Sequence, residues 1–334
     1  MITIAINGFG RIGRQAFKVA FTKKDVQIVA VNDLTDTKTL AHLLKYDTSY
    51  GKYDKEVDFD EKNIVVAGKK FPVFAEKDPG LLPWKKLKVD VVLECTGRFT
   101  DEAGMSLHLK AGAKKVILSA PGKGGEIPTY VMSVNSDQVG KEKKRLINNA
   151  SCTTNCISPV MSVLQDAFGI EKAMMTTVHG YTADQNLQDG PHKDLRRARA
   201  AAENITPTTT GAAIATAEAI PSLSNIFDGL SLRVPVPTVS LSDITVVLKK
   251  NVTKEEINKA LIDASKSKRF KGILGTTSEQ LVSSDFIGNS HSAIVDLSLT
   301  NVVGGNLAKV VAWYDNEYGY AHRLIEMTEE FGKK

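Results

Sequence analysis

Apolar and polar positions along the first half of the chain follow two alternating periods. Residues 2–6 are a short apolar run that reads as a buried strand. The run breaks at Gly8-Phe9-Gly10-Arg11-Ile12-Gly13, and residues 14–21 follow with helical spacing. A second strand is predicted at 26–31, ending in Asn32-Asp33. A helix near 40–44, a hairpin over 63–74, a strand at 89–94, a helix at 102–111 and a strand at 115–118 come next. Strands that alternate with helices and end in Gly, Ser and Thr turns predict an open parallel sheet with ligands at its carboxyl edge. Residues 146–150 read as an apolar-to-polar turn. Ile157, Val160, Met161, Leu164 and Phe168 then mark one face of a helix that opens at Ser151-Cys152 and closes at Gly169.

Beyond Gly169 the pattern changes. A strand at 173–182 leads into a long polar segment, 183–205, with little apolar periodicity. An Ala-rich helix at 212–220 stops at Pro221, and strands are predicted at 230–236, 239–248, 293–299 and 307–313. Thr253-Lys254-Glu255-Glu256 is a capping box opening another helix, and a last helix covers 321–331. These elements predict a mostly antiparallel sheet with helices on one side. The fold class expected is an α/β Rossmann dinucleotide-binding domain, residues 1–151, followed by an α+β catalytic domain, residues 152–316. Residues 317–334 are expected to pack back on the first domain.

Composition narrows the function more than the fold. At 334 residues the chain exceeds what one core usually serves. With 42% hydrophobic and 24% charged residues, it has material for full cores. Lys and Arg number 43 against 38 Asp and Glu, a net charge of +5 that suits small anions but falls short of a nucleic-acid footprint. The basic run at 141–145 reads as solvated surface. Three cysteines, two of them four apart on a predicted helix, argue against a disulfide framework and for a reducing compartment. They also make a poor zinc site. No basic leader and no apolar run of about 18 residues is present, so the expectation is cytoplasmic, without dedicated membrane or nucleic-acid binding.

Several stretches carry candidate chemistry. Gly8, Gly10 and Gly13 stand between strand and helix, where glycines allow a tight turn, close approach to a pyrophosphate, and close helix–strand contact. Asp33, at the end of the next strand, would bind ribose hydroxyls and repel a 2′-phosphate, which favours NAD over NADP. Thr96-Gly97 and Ser119 end later strands and are further cofactor candidates, while Cys95 reads as core. Cys152 sits in the first turn of its helix, where unpaired N–H groups and the macrodipole favour thiolate, so it is the candidate nucleophile. His179 ends a strand beside Tyr181 and Thr182 and is the candidate base that activates it. His42 and His108 lie in the dinucleotide half, outside its strand ends. Residues 206–211, ahead of the Ala-rich helix, would make an anion site from hydroxyls and N–H groups. Arg233 is one cation in an alternating strand, with an exposed-face role left open.

Five stretches together resemble the glyceraldehyde-3-phosphate dehydrogenase family, essentially end to end. They are Asn7-Gly8-Phe9-Gly10-Arg11-Ile12-Gly13-Arg14, Ala150-Ser151-Cys152-Thr153-Thr154-Asn155-Cys156, Val178-His179, the segment from Pro191 to Ala200, and Trp313-Tyr314-Asp315-Asn316-Glu317-Tyr318-Gly319-Tyr320. The resemblance implies phosphorylating oxidation of D-glyceraldehyde 3-phosphate with NAD and inorganic phosphate, through a Cys152 thioester with His179 as base. It further implies that Thr182 and Arg233 hold the substrate phosphate, with Arg197 between two anion sites. Ser151, Thr153, Thr210 and Gly211 would hold the attacking phosphate, and Arg11, Ile12, Asp33, Lys77, Ser119 and Asn316 the cofactor. Lys77 stands where the family often has Arg, a mild departure; Gly180 stands where it often has Ser, and little consequence is expected from that. The family's homotetramer would give residues 183–205 a neighbour's cofactor site to pack against. An erythrose-4-phosphate dehydrogenase of the same fold and a non-catalytic NAD-binding or adhesive module are the competing expectations.

Overall fold

The computed structural model describes residues 1–141 and 143–334; Glu142, within the basic run at 141–145, lies outside the described residues. Two units emerge from the chain. One comprises Met1–Tyr130, Ser136–Ala150 and Ala321–Lys334, the other Val131–Asn135 and Ser151–Tyr320.

In the first unit the strands are β1 (Ile2–Asn7), β2 (Val26–Asn32), a small hairpin of β3 (Tyr46–Asp47) and β4 (Gly51–Lys52), β5 (Val57–Phe59), β6 (Asn63–Val66), β7 (Lys69–Phe74), β8 (Val91–Glu94), β9 (Lys115–Leu118) and β10 (Leu146–Asn148). Eight of them form one sheet in the order β10-β9-β8-β1-β2-β7-β6-β5. The pairs from β10 to β7 are parallel, and β6 and β5 add an antiparallel edge. The reversal of strand order on either side of β1 creates the crevice at which such sheets bind ligands. β8 is buried at all four positions, as a strand covered on both faces must be. Helices α1 (Arg11–Thr22), α2 (Thr37–Lys45) and α3 (Glu102–Lys110) connect the strands. Asp36 and Asp101 cap α2 and α3 by accepting the Thr39 and Gly104 N–H groups. Residues 146–148 are not the expected turn. Leu146, Ile147 and Asn148 pair in parallel with β9 as an edge strand, and that long-range ladder leaves no local sequence signal.

The second unit holds α4 (Cys152–Phe168), β11 (Ile170–Gly180), β12 (Thr206–Thr208), α5 (Ala212–Ala219), β13 (Phe227–Val234), β14 (Ser240–Leu248), α6 (Lys254–Lys266), β15 (Leu274–Thr277), β16 (Ala293–Asp296), β17 (Asn301–Val303) and β18 (Leu307–Tyr314). Its sheet runs β12-β13-β11-β14-β18-β16-β15, with β17 beside β18. Only the β11–β13 and β15–β16 pairs are parallel, so the sheet is mostly antiparallel. β14 alternates buried and half-buried residues, which leaves one face for the core. Onto that face α4 lays Ile157, Val160, Met161 and Leu164 against Ile244, Val246, Val310 and Ala312. The start of α4 is set by Ser151 as N-cap and its end by Gly169 at φ 70. Residues 183–205 form no helix or strand and are tied instead to themselves, through Gly190 N–H to the Ala198 carbonyl and Ala201 N–H to the Asn186 carbonyl.

A last helix, α7 (Tyr318–Lys333), begins three residues before its apolar pattern does. From Ala321 on it belongs to the first unit, where Leu324, Ile325, Met327 and Phe331 are buried. There Lys115 Nζ donates to the Phe331 carbonyl at 2.6 Å.

Candidate active site

The first turn of α4 places a sulfur beside an imidazole. Ser151 caps the helix by accepting the Thr154 N–H at 3.0 Å, which leaves Cys152 as the first helical residue. Cys152 Sγ stands 3.4 Å from His179 Nε2, although the two residues are 27 apart in the chain. His179 reaches this position as the penultimate residue of β11, with its side chain 4% exposed. Its Nδ1 lies 2.6 Å from the Gly180 carbonyl oxygen. That contact requires a proton on Nδ1, which leaves the lone pair of Nε2 facing the sulfur.

Behind this pair Tyr314 supplies a rigid wall. Its ring packs edge-on against His179, with centroids 6.1 Å apart. Its hydroxyl sits 2.9 Å from Thr153 Oγ1 and 2.8 Å from Thr177 Oγ1, so α4, β11 and β18 are joined through one oxygen. Parallel pairing of β11 with β13 sets Arg233 opposite His179. The guanidinium is therefore not on an exposed face. Its Nη1 donates to the Gly180 carbonyl at 3.2 Å, sharing that oxygen with the Nδ1–H of His179; Nη1 and Nδ1 are 2.8 Å apart as two donors on one acceptor, not as partners of each other. Thr182 donates to Asp184, whose other oxygen pairs with Arg197. Arg197 also donates through Nε and Nη2 to Thr208 Oγ1 on β12. Thr182, Arg197 and Arg233 thus meet around Asp184. Thr210 and Gly211 sit at the start of α5, where the Thr210 hydroxyl accepts the Ala212 N–H and Gly211 faces open space. Among the described residues no hydrogen bond joins them to Cys152.

The electrostatics differ from the sequence expectation at one point. Burial pushes the Cys152 thiol up. The Arg233 charge, the Thr153 hydroxyl and the N–H groups of Thr153 and Cys152 oppose this without overcoming it. Burial, and then the Arg233 charge, push His179 down to about 3. The resting pair is therefore a thiol beside a neutral imidazole, not a standing thiolate, because desolvation outweighs the helix N-terminus. Asp184 is held below the usual carboxylate range: burial raises it, but Thr182, Arg233 and Arg197 outweigh that. It remains an anion between two arginines.

The glycine loop of the first unit is built for close contact. At Gly13 a Cβ would stand 2.0 Å from the Gly8 carbonyl oxygen, and at Gly8 (φ 93) it would stand 2.7 Å from the Thr96 nitrogen. Gly10, by contrast, faces open space at the N-terminus of α1. A cleft at this edge of the sheet is lined by Gly8, Gly10, Asp33, Lys77 and Thr96, among others. Asp33 accepts the N–H of Phe9 at 2.8 Å, which ties the loop to the end of β2. The Arg11 guanidinium is engaged by Asp47 at 2.7 Å. What Arg11 and Ile12 can offer an anion is their backbone N–H groups in the first turn of α1. Ser119 follows β9, its N–H donating to the Glu94 carbonyl.

Three features went unread in the sequence. Beneath the glycine loop Trp84 Nε1 donates to His108 Nδ1 at 3.0 Å, and His108 Nε2 then donates to Glu94 at 3.0 Å. Glu94 also accepts from Asn7 Nδ2 at 2.6 Å, and Asn7 accepts from Asn32. His108 is thus not outside the strand ends but buried against one. Gly180 has a stronger requirement than expected: a Cβ there would stand 2.9 Å from the Val236 carbonyl oxygen. Asn316 has its Oδ1 held by Ser240 Oγ at 3.0 Å. Buried partners drawn from distant strands have no local pattern; only the polar residues at strand ends hinted at them.

Two family profiles match the chain. The NAD binding domain of glyceraldehyde 3-phosphate dehydrogenase matches residues 2–102, and the C-terminal domain of that family matches residues 151–316. The glyceraldehyde-3-phosphate dehydrogenase of Geobacillus stearothermophilus is 51% identical over 333 residues, covering 100% of this chain and 99% of its own length. That of Borreliella burgdorferi is 53% identical over 336 residues, with 99% of each chain covered. Glyceraldehyde-3-phosphate dehydrogenase 1 of Bacillus subtilis is 51% identical, with 100% and 99% covered.

Proposed function

The chain belongs to the glyceraldehyde-3-phosphate dehydrogenase family, and from that premise we propose that it oxidises D-glyceraldehyde 3-phosphate to 1,3-bisphosphoglycerate with NAD and phosphate, as a step of glycolysis or gluconeogenesis. It is an NAD-dependent oxidoreductase. The observation that carries the mechanism is the 3.4 Å approach of Cys152 Sγ to an Nε2 lone pair.

Cys152 adds to the aldehyde carbon while His179 takes the thiol proton. This transfer is made at the moment of attack, because the resting pair is neutral. Bound NAD supplies the acceptor for the hydride from that carbon. His179 returns that proton to the alkoxide oxygen, giving the hemithioacetal, and takes it back as the hydride leaves and the thioester forms on Cys152. The Cys152 N–H and His179 stabilise the oxyanion. Phosphate oxygen then attacks the thioester carbonyl, and the leaving sulfur regains its proton from His179, which restores the neutral pair. Thr182 and Arg233 hold the substrate phosphate, and Arg197 lies between the two anion sites. Ser151, Thr153, Thr210 and Gly211 hold the attacking phosphate. A phosphate drawn to Arg233 would also offset the charge that depresses His179, raising its basicity when substrate is present.

The glycine loop fits a dinucleotide: Gly10 opens onto free space at a helix N-terminus, and Asp33 stands beside it. Arg11 and Ile12 contact the pyrophosphate through backbone N–H groups, Asp33 the ribose, and Lys77 and Ser119 are further cofactor contacts. Asn316 holds the carboxamide. In this reading residues 1–151, with 317–334, are the NAD-binding domain and 152–316 the catalytic domain. The active form is a homotetramer in the cytoplasm, which the exposed Leu187, Leu195 and Ile205 of the 183–205 segment and the three unpaired cysteines support. Among the described residues no helix is long and apolar enough to cross a membrane.

The test is NAD reduction followed by absorbance, across aldehydes and with phosphate varied. Phosphate-dependent NADH formation is expected, with kcat/KM highest for glyceraldehyde 3-phosphate. A higher kcat/KM for erythrose 4-phosphate would reassign the substrate, and no NADH from either would leave a non-catalytic NAD-binding module.

A further inference from the structure

Ser240 is the first residue of β14 and is 2% exposed. Its hydroxyl has two partners. The Gly180 N–H donates to Oγ at 3.2 Å, and Oγ lies 3.0 Å from Asn316 Oδ1. A backbone N–H can only donate, so Ser240 Oγ is the acceptor toward Gly180 and its single proton goes to Asn316. The amide of Asn316 must then present its oxygen to Ser240. Turned the other way, the hydroxyl proton would be buried without an acceptor, at a cost of about 1–3 kcal/mol. Asn316 itself is 5% exposed and follows Asp315, whose carboxylate is pinned by the N–H groups of Gly288, Glu317 and Tyr318. Its backbone is therefore held independently of Ser240, and the hydroxyl decides only the orientation of the amide. Nδ2 has no partner among the described residues, so its two donors remain for a ligand.

We propose that Ser240 is a positioning residue for the cofactor: it holds the Asn316 amide with its N–H donors turned toward the nicotinamide carboxamide oxygen, and it anchors that amide to Gly180, the residue whose N–H it accepts and whose carbonyl, in the next peptide unit, holds His179. The cofactor's reactive ring and the catalytic base are thereby referred to one residue, Gly180. This inference rests on Asn316 contacting the carboxamide, as proposed above. Ser240 touches neither substrate nor the reacting atoms and acts through Asn316.

The test compares NAD with ADP-ribose, which keeps the whole dinucleotide except the nicotinamide. Binding of each to the full-length protein is measured for wild type, Ser240→Ala, Asn316→Ala and the double variant. Ser240→Ala is expected to weaken NAD about tenfold, the value of one hydrogen bond, and to leave ADP-ribose unchanged. In the Asn316→Ala background it should cost nothing further, because the two act as one unit. Ser240→Thr, which keeps the hydroxyl, should restore NAD affinity. Equal weakening of both ligands, additive losses in the double variant, or unchanged NAD binding in Ser240→Ala would each overturn the proposal. Should the alanine variant fail to fold, Ser240→Cys, of similar size and with a poor donor, takes its place with the same expectations. Turnover by the wild-type enzyme tests the underlying function separately, so failure of one is not mistaken for failure of the other.

Discussion

Cys152 and His179 are both held away from their charged forms, and this separates activity from stability. The unfolded imidazole takes a proton near pH 6.5, whereas the folded one refuses it until about 3. Between those values the unfolded chain binds more protons, so stability is present above about pH 6.5 and falls as pH drops, by up to about 1.4 kcal/mol per unit from this group. Unfolding by denaturant at pH 7.5 and 4.5 should show the loss, and His179→Gln should flatten it; an unchanged slope would show that His179 is not the group responsible. Cys152→Ser should abolish NADH formation with NAD binding nearly intact, and a variant keeping more than a few per cent of turnover would reject the covalent route. Arg233→Ala should reduce kcat/KM for the phosphorylated aldehyde far more than for unphosphorylated glyceraldehyde; equal losses would remove it from the phosphate site. Cys152 and His179 were legible as single residues because each ends or begins an element with polar neighbours. The roles of Gly180 and Glu94 were not, since each depends on a contact to a distant segment.

At the scale of elements, regular periodicity with a terminating residue was readable and short pairing was not. The 253–256 box opens α6 with both reciprocal hydrogen bonds formed. Thr253→Ala should therefore cost about 1 kcal/mol in unfolding experiments while leaving kcat unchanged. The alternating βα pattern predicted the parallel sheet, because each buried strand must be a near-continuous apolar run. β3, β4, β5, β10, β12, β15 and β17 escaped notice: each has two to four residues, and its existence is decided by the neighbour it pairs with. The glycine loop gives the sharpest element-level prediction. Gly13→Ala must displace the Gly8 carbonyl that its Cβ would meet at 2.0 Å, so α1 shifts off the loop and NAD affinity falls. Wild-type affinity in that variant would mean that the close approach is not needed for the cofactor.

For the molecule as a whole, the order of motifs was enough to give the fold class, since a glycine turn after the first strand and a cysteine at a helix start fall in separate units. Assembly was less legible, because an exposed Leu in a polar segment reads the same on a monomer as at an interface. The proposed tetramer predicts one sedimenting species at four chain masses, shifted to smaller species by Leu195→Asp, a residue 81% exposed in the single chain. A monomeric wild type would contradict it. All of these readings converge on a sulfur that carries the substrate between two half-reactions. The most direct measurement mixes the enzyme with NAD and glyceraldehyde 3-phosphate without phosphate, then follows NADH and the mass of the peptide containing Cys152. A burst of NADH matching the number of sites, an acyl adduct on Cys152, and its discharge when phosphate is added are predicted. NADH accumulating in repeated turnovers without phosphate, or a burst that leaves Cys152 unmodified, would contradict the account.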